Sequence, residues 1–136
     1  APPTPAKLAE NIAEAIRTSG AYRWVGIYDV GAADIALIAY SGPSEPAYPS
    51  FPVTQGLSGE AVRLCETVVS NDVAQDPRYL TAFVSTGSEM IVPLLDGAGR
   101  AIGTIDIECD RVDAFGPSDV RAIAECTELV RRALFA

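Results

Sequence analysis

The spacing of hydrophobic and polar residues predicts a helix first. Thr4 and Pro5 supply an N-cap and a proline at the first helical position. Leu8, Ile12, Ala15 and Ile16 then fall on one face, and Gly20 ends the run. The period changes after that. Tyr22–Val30 is aromatic and β-branched, and Gly31 to Asp34 separates it from the apolar run Ile35–Tyr40, which predicts a hairpin. Ser41 to Pro52 carries four prolines and is expected as a long irregular loop. Ser58 is the expected N-cap of a short helix with Ala61, Val62, Leu64 and Cys65 on its apolar side, followed by a brief strand at Val68 and Val69. Asn71 to Gly87, polar and punctuated by Asp76-Pro77, reads as a second irregular crossing with one helical turn. Ser88–Leu95 and Ala101–Cys109, joined by DGAGR, give the strongest hairpin signal in the chain. Gly116-Pro117-Ser118-Asp119 opens a last helix with Val120, Ile123, Thr127, Val130 and Leu134 as its buried stripe. Arg131 and Arg132 complement its C-terminal dipole.

This order predicts one α+β domain over residues 1–136: an N-terminal helix to residue 20, a mostly antiparallel sheet with its pocket loops over 22–110, and a C-terminal helix over 117–135. Val25 to Tyr28 and Met90 to Leu95 are apolar on both faces, so both sides of the sheet need cover. The terminal helices are expected on one side and the irregular crossings with the short helix on the other, where a ligand pocket would form.

Alternation along the last strand puts Thr104, Asp106 and Glu108 on one face and Ile105, Ile107 and Cys109 on the other. Glu89 alternates away from Met90 and Val92, and Trp24 and Tyr28 share a face with Gly26 between them. If these faces converge, three acids and two aromatics line one cavity suited to a small cation, through charge-assisted hydrogen bonds and cation–π attraction. The plainer alternative leaves Asp106 and Glu108 on a solvated sheet face and Trp24 in the core. Asp106, Glu108 and Asp110 also alternate as a hard-cation set, but such sites usually draw ligands from loops as well, and no metal is expected. Gly97-Ala98-Gly99 is a turn and not a phosphate loop, because a strand follows it.

Composition narrows the chemistry. Ten Lys+Arg against eighteen Asp+Glu give a net charge of −8, which argues against a nucleic-acid partner. The chain has no histidine, which excludes Ser-His-Asp and Cys-His nucleophiles, His-ligated zinc and proximal-His haem. Cys65, Cys109 and Cys126 are widely spaced and odd in number, as expected of reduced, separately packed thiols. With no long apolar run and no signal-like start, the expectation is a soluble, cytoplasmic chain with no membrane partner.

Trp24-Val-Gly-Ile-Tyr28, Phe51-Pro-Val-Thr-Gln-Gly-Leu-Ser-Gly59, Asn71-Asp-Val73, Ser88-Glu-Met-Ile-Val-Pro-Leu94 and Ile102-Gly-Thr-Ile-Asp-Ile-Glu108 resemble a GAF domain in order and spacing. More narrowly they are similar to the free methionine-(R)-sulfoxide reductases. The resemblance implies a six-stranded antiparallel sheet and a pocket in which Trp24, Tyr28, Glu89, Asp106 and Glu108 hold the amino acid part of the substrate. It also implies catalytic cysteines near Ala82, near Tyr48 and at Ser58, and none of these is a thiol. Sulfoxide reduction by that route needs a thiolate to attack sulfur and a second thiol to resolve the product. The pigment-, haem- and cyclic-nucleotide-binding motifs of other GAF domains are absent too, so no cofactor is expected. Three functions follow as expectations: a non-catalytic domain binding an ammonium-bearing ligand such as a free amino acid, a reductase with displaced cysteines, or a ligand-free module that forms a homodimer through its terminal helices.

Overall fold

A computed structural model describes residues 1–135. The elements follow in the order α1 (Pro5–Ser19), β1 (Trp24–Val30), β2 (Asp34–Ser41), β3 (Ser50–Pro52), α2 (Gly56–Leu64), β4 (Val68–Ser70), a 3-10 turn (Val73–Gln75), β5 (Ser88–Leu95), β6 (Ala101–Cys109) and α3 (Pro117–Leu134). All five strand pairings are antiparallel, in the order β3-β2-β1-β6-β5-β4. The fold is the α+β class expected from the alternation of short strands with flanking helices.

Both terminal helices pack on one face of the sheet. Ala9, Ala13 and Ile16 of α1 and Ile123 and Val130 of α3 meet Val25, Ile27, Met90, Val92, Leu94, Ile105, Ile107 and Cys109 in one cluster. The small Ala9 and Ala13, both fully buried, set the close approach of α1. Ala15, expected in its stripe, is exposed instead, because the contact face is centred on Ile12, Ala13 and Ile16.

Three local expectations are corrected. The proline-rich stretch is not wholly irregular, since Ser50–Pro52 forms a short edge strand on Asp34–Ala36. Proline is tolerated there because an edge strand does not need every N–H. Ser58 is not an N-cap: α2 starts at Gly56, and Ser58 lies buried inside its first turn. Cys65 is not on the helix face but at its C-cap, in left-handed conformation with φ 53°, and Leu64 is exposed.

The second crossing is fixed by Asn71, whose amide donates to the Phe115 carbonyl (2.9 Å) and accepts from the Phe115 N–H (3.1 Å). Asn71→Ala is expected to destabilise the fold by about 1–3 kcal/mol, read by urea unfolding, because both backbone groups of Phe115 lose their partner. A loss of under about 0.5 kcal/mol would show that water replaces the amide.

Candidate functional site

Antiparallel register assembles the site on the sheet face opposite the terminal helices. Trp24, Glu108 and Glu89 lie in register across β1, β6 and β5, and Gly26, Asp106 and Ile91 form the next row. Period-two alternation then aims the acids and aromatics to the same side. All five residues expected from the sequence are brought together. Trp24, Tyr28 and Glu108 are 1% exposed, Asp106 4% and Glu89 5%, so the solvated-face alternative is excluded. Asp110 does not join them, for it is exposed beyond the strand end.

The aromatic wall is continuous. Trp24 stacks on Tyr40 at 5.9 Å between ring centroids, tilts against Phe83 at 5.3 Å and Tyr28 at 6.4 Å, and donates its indole N–H to the Ser44 carbonyl. Phe51 meets the Tyr28 ring edge-on. Gly26 makes room for this wall. A Cβ there would stand 2.3 Å from the Trp24 ring.

One oxygen from each of Glu89, Asp106 and Glu108 lies within 4.8 Å of the other two. Glu108 Oε1 accepts from the hydroxyls of Thr86 (2.8 Å) and Tyr79 (3.2 Å), both from the second crossing. Glu108 Oε2, Asp106 Oδ1 and the Thr104 hydroxyl have no hydrogen-bond partner among the described residues. Burial raises the Glu89 carboxyl well above its ordinary range, and the neighbouring Asp106 and Glu108 add to the effect. Asp106 is raised by burial and by Glu108. Glu108 is also raised by burial, against the lowering effect of Thr86 and its other hydrogen-bond partners. Buried like charges of this kind retain protons unless a cation replaces them.

Glu89 and Asp106 line a small cavity of about 20 Å³ together with Tyr28, Phe51, Leu57, Leu80 and others. That is near the room one water needs. An open cleft of about 550 Å³ lies alongside and shares Gly56 and Leu80 with the cavity. Tyr48, Ser58 and Ala82, the places where the resemblance puts the reductase cysteines, all line the cavity. The three cysteines present do not. Cys109 is buried in the core beneath α1 and α3, Cys126 lies in α3, and burial raises both thiols. Sequence reasoning missed Tyr79, Phe83 and Thr86, which lie in an irregular segment without periodicity. The one signal was their density of aromatic and hydroxyl side chains between Asp76-Pro77 and Ser88.

The arrangement is that of a small α+β domain with an anionic cavity between the sheet and its covering loops. The sequence profile of the GAF domain matches residues 3–134, and the chain belongs to that family. It is 26% identical over 110 residues to the free methionine-R-sulfoxide reductase of Saccharomyces cerevisiae, covering 80% of this chain and 61% of that protein. The chain therefore spans less than two thirds of the yeast relative. It is 25% identical over 121 residues to GAF domain-containing protein A of Dictyostelium discoideum, covering 88% and 75% of the two chains. Among solved structures, the type II free methionine-R-sulfoxide reductase of Thermoplasma acidophilum superposes with a TM-score of 0.88 at 27% identity, over 96% of this chain and 95% of that one. The enzyme from Neisseria meningitidis, in complex with its substrate, gives 0.87 at 25% identity, over 96% and 78%. No helix among the described residues is long and apolar enough to cross a membrane.

Proposed function

We propose that this chain is a small-molecule-binding GAF domain that takes the ammonium group of a ligand such as a free amino acid and does not reduce it. The observation that carries this reading is the group of three buried carboxyls, two of them with an unpartnered oxygen, beneath an aromatic wall. An ammonium offers three donors and one positive charge, which supply the missing partners and displace the retained protons. Trp24 and Tyr28 add cation–π attraction of about 0.5–2 kcal/mol. The similarity to free methionine-R-sulfoxide reductases supports an amino acid as the ligand class. The non-catalytic part rests on chemistry: alanine, serine and tyrosine at the three cavity positions cannot form a sulfenic acid or resolve one.

Because the cavity is near the size of a water, an amino acid can bind only if the residues that line it move apart. Thermal unfolding tests the reading, with millimolar methionine, its two sulfoxide epimers, other free amino acids and n-propylamine as probes. A ligand at a hundred times its dissociation constant adds about 2.7 kcal/mol and raises the midpoint by roughly 5–10 °C. Asp106→Ala and Glu108→Ala are expected to abolish that shift while still unfolding cooperatively. An assay coupled to thioredoxin and NADPH is expected to show no turnover of either sulfoxide epimer. Turnover that disappears on mutating Cys65, Cys109 or Cys126 would restore the reductase reading.

A further inference from the structure

We infer that Glu89, Asp106 and Glu108 also form a site for a single hard divalent cation of calcium or manganese type. The geometry fits one ion. Calcium binds oxygens at about 2.3–2.6 Å, so two oxygens on opposite sides of one ion stand about 4.8 Å apart. One oxygen from each of the three acids lies within 4.8 Å of the other two, close enough for a single ion to touch all three. A second observation is independent of the clustering of acids. Asp106 Oδ1 and Glu108 Oε2 are buried without any hydrogen-bond partner among the described residues, on side chains only 4% and 1% exposed. Thr104 Oγ1, on the same strand face, is likewise buried and unpartnered among the described residues.

Cavity size and donor type select the ion. A cavity of about 20 Å³, lined by Glu89 and Asp106, has room for a bare ion, whereas an organic ligand needs more space. The donors are all oxygens, and no cysteine lines the cavity, which favours hard cations over zinc or copper. Magnesium holds its waters tightly and needs more room than the cavity has. Alternation along β6 alone suggested Asp110 as the third acid; the structure replaces it with Glu89 from β5, directly across from Glu108. The inference needs only the three carboxyls and stands whether or not the organic ligand of the preceding section binds.

Terbium serves as the probe, because Trp24, the only tryptophan in the chain, lies in register beside Glu108 and can sensitise its emission. The full chain, stripped with a chelator, is titrated at neutral pH with excitation of the indole. The expected result is sensitised emission that calcium or manganese displaces. Glu89→Gln should weaken terbium binding about tenfold or more while retaining cooperative unfolding, and Asp110→Asn should leave it unchanged. Emission that persists in Glu89→Gln, or disappears in Asp110→Asn, would assign the ion to the acidic surface and overturn the inference. Absence of emission alongside a midpoint shift with n-propylamine would overturn it alone and leave the ammonium reading standing. Emission lost in Glu89→Gln but never displaced by n-propylamine or methionine would support the ion and remove the ammonium reading instead.

Discussion

Glu89→Gln is expected to raise the unfolding midpoint of the ligand-free protein at alkaline pH and, in the same variant, to weaken ammonium binding about tenfold or more. The two effects have one cause. Glu89 is buried beside Asp106 and Glu108, and both burial and their charges raise its carboxyl. The folded state therefore holds protons that the unfolded chain, with ordinary carboxyls, releases. For a raised acid the sign is fixed: the stabilising contribution is complete below the ordinary carboxyl range and is lost as pH rises through the raised value. The unmodified protein should lose stability as pH rises above the ordinary carboxyl range, and Glu89→Gln should flatten that slope. Removing one buried charge of the three is expected to contribute about 1–3 kcal/mol at the alkaline end. A saturating cation should flatten the slope in the unmodified protein as well, because it favours the charged carboxyls. Midpoints measured over that rise in pH in both proteins check the prediction. Equal slopes would mean that water or a rearranged loop solvates the acids.

Gly26→Ala is the second large effect, expected to destabilise the protein by about 1–3 kcal/mol or more and to shift the indole emission. Its Cβ would lie 2.3 and 2.7 Å from two Trp24 ring atoms and 3.0 Å from the Tyr28 ring. Trp24 has nowhere to retreat, with Tyr40 and Phe83 packed against it and its N–H engaged by Ser44. The strain therefore falls on the wall of the cavity, and ligand affinity should fall with stability. Gly97→Ala is the matching control, since nothing lies within 4 Å of a Cβ there and its stability should change little. Urea unfolding followed by the single tryptophan measures both variants. Equal stability in the two would show that the aromatic cluster has slack.

The site was legible in the sequence wherever period two governed it. Asp106 and Glu108 alternate with Ile105 and Ile107, Glu89 alternates with Met90, and Trp24 and Tyr28 flank Gly26 on one face. Antiparallel register then made those faces converge. The terminal helices were legible from their apolar stripes, apart from Ala15. What was not legible depended on tertiary contact. Ser50–Pro52 became a strand because β2 offered an open edge, against the local signal of its prolines. The start of α2 is set by close packing and not by a cap: Gly56 takes a φ of +73°, and a Cβ on Gly59 would meet the Thr54 backbone at 2.5 Å. Tyr79 and Thr86 became partners of Glu108 only through the path of an aperiodic crossing.

Calorimetric titration with methionine, methionine-(R)-sulfoxide and n-propylamine, run at neutral pH in two buffers of different ionisation enthalpy, tests the ammonium site most directly. The account predicts saturable heat with at least one of them, net release of protons on binding, and no heat with Asp106→Ala. No heat from any of the three, or equal affinity in the unmodified protein and Asp106→Ala, would contradict it.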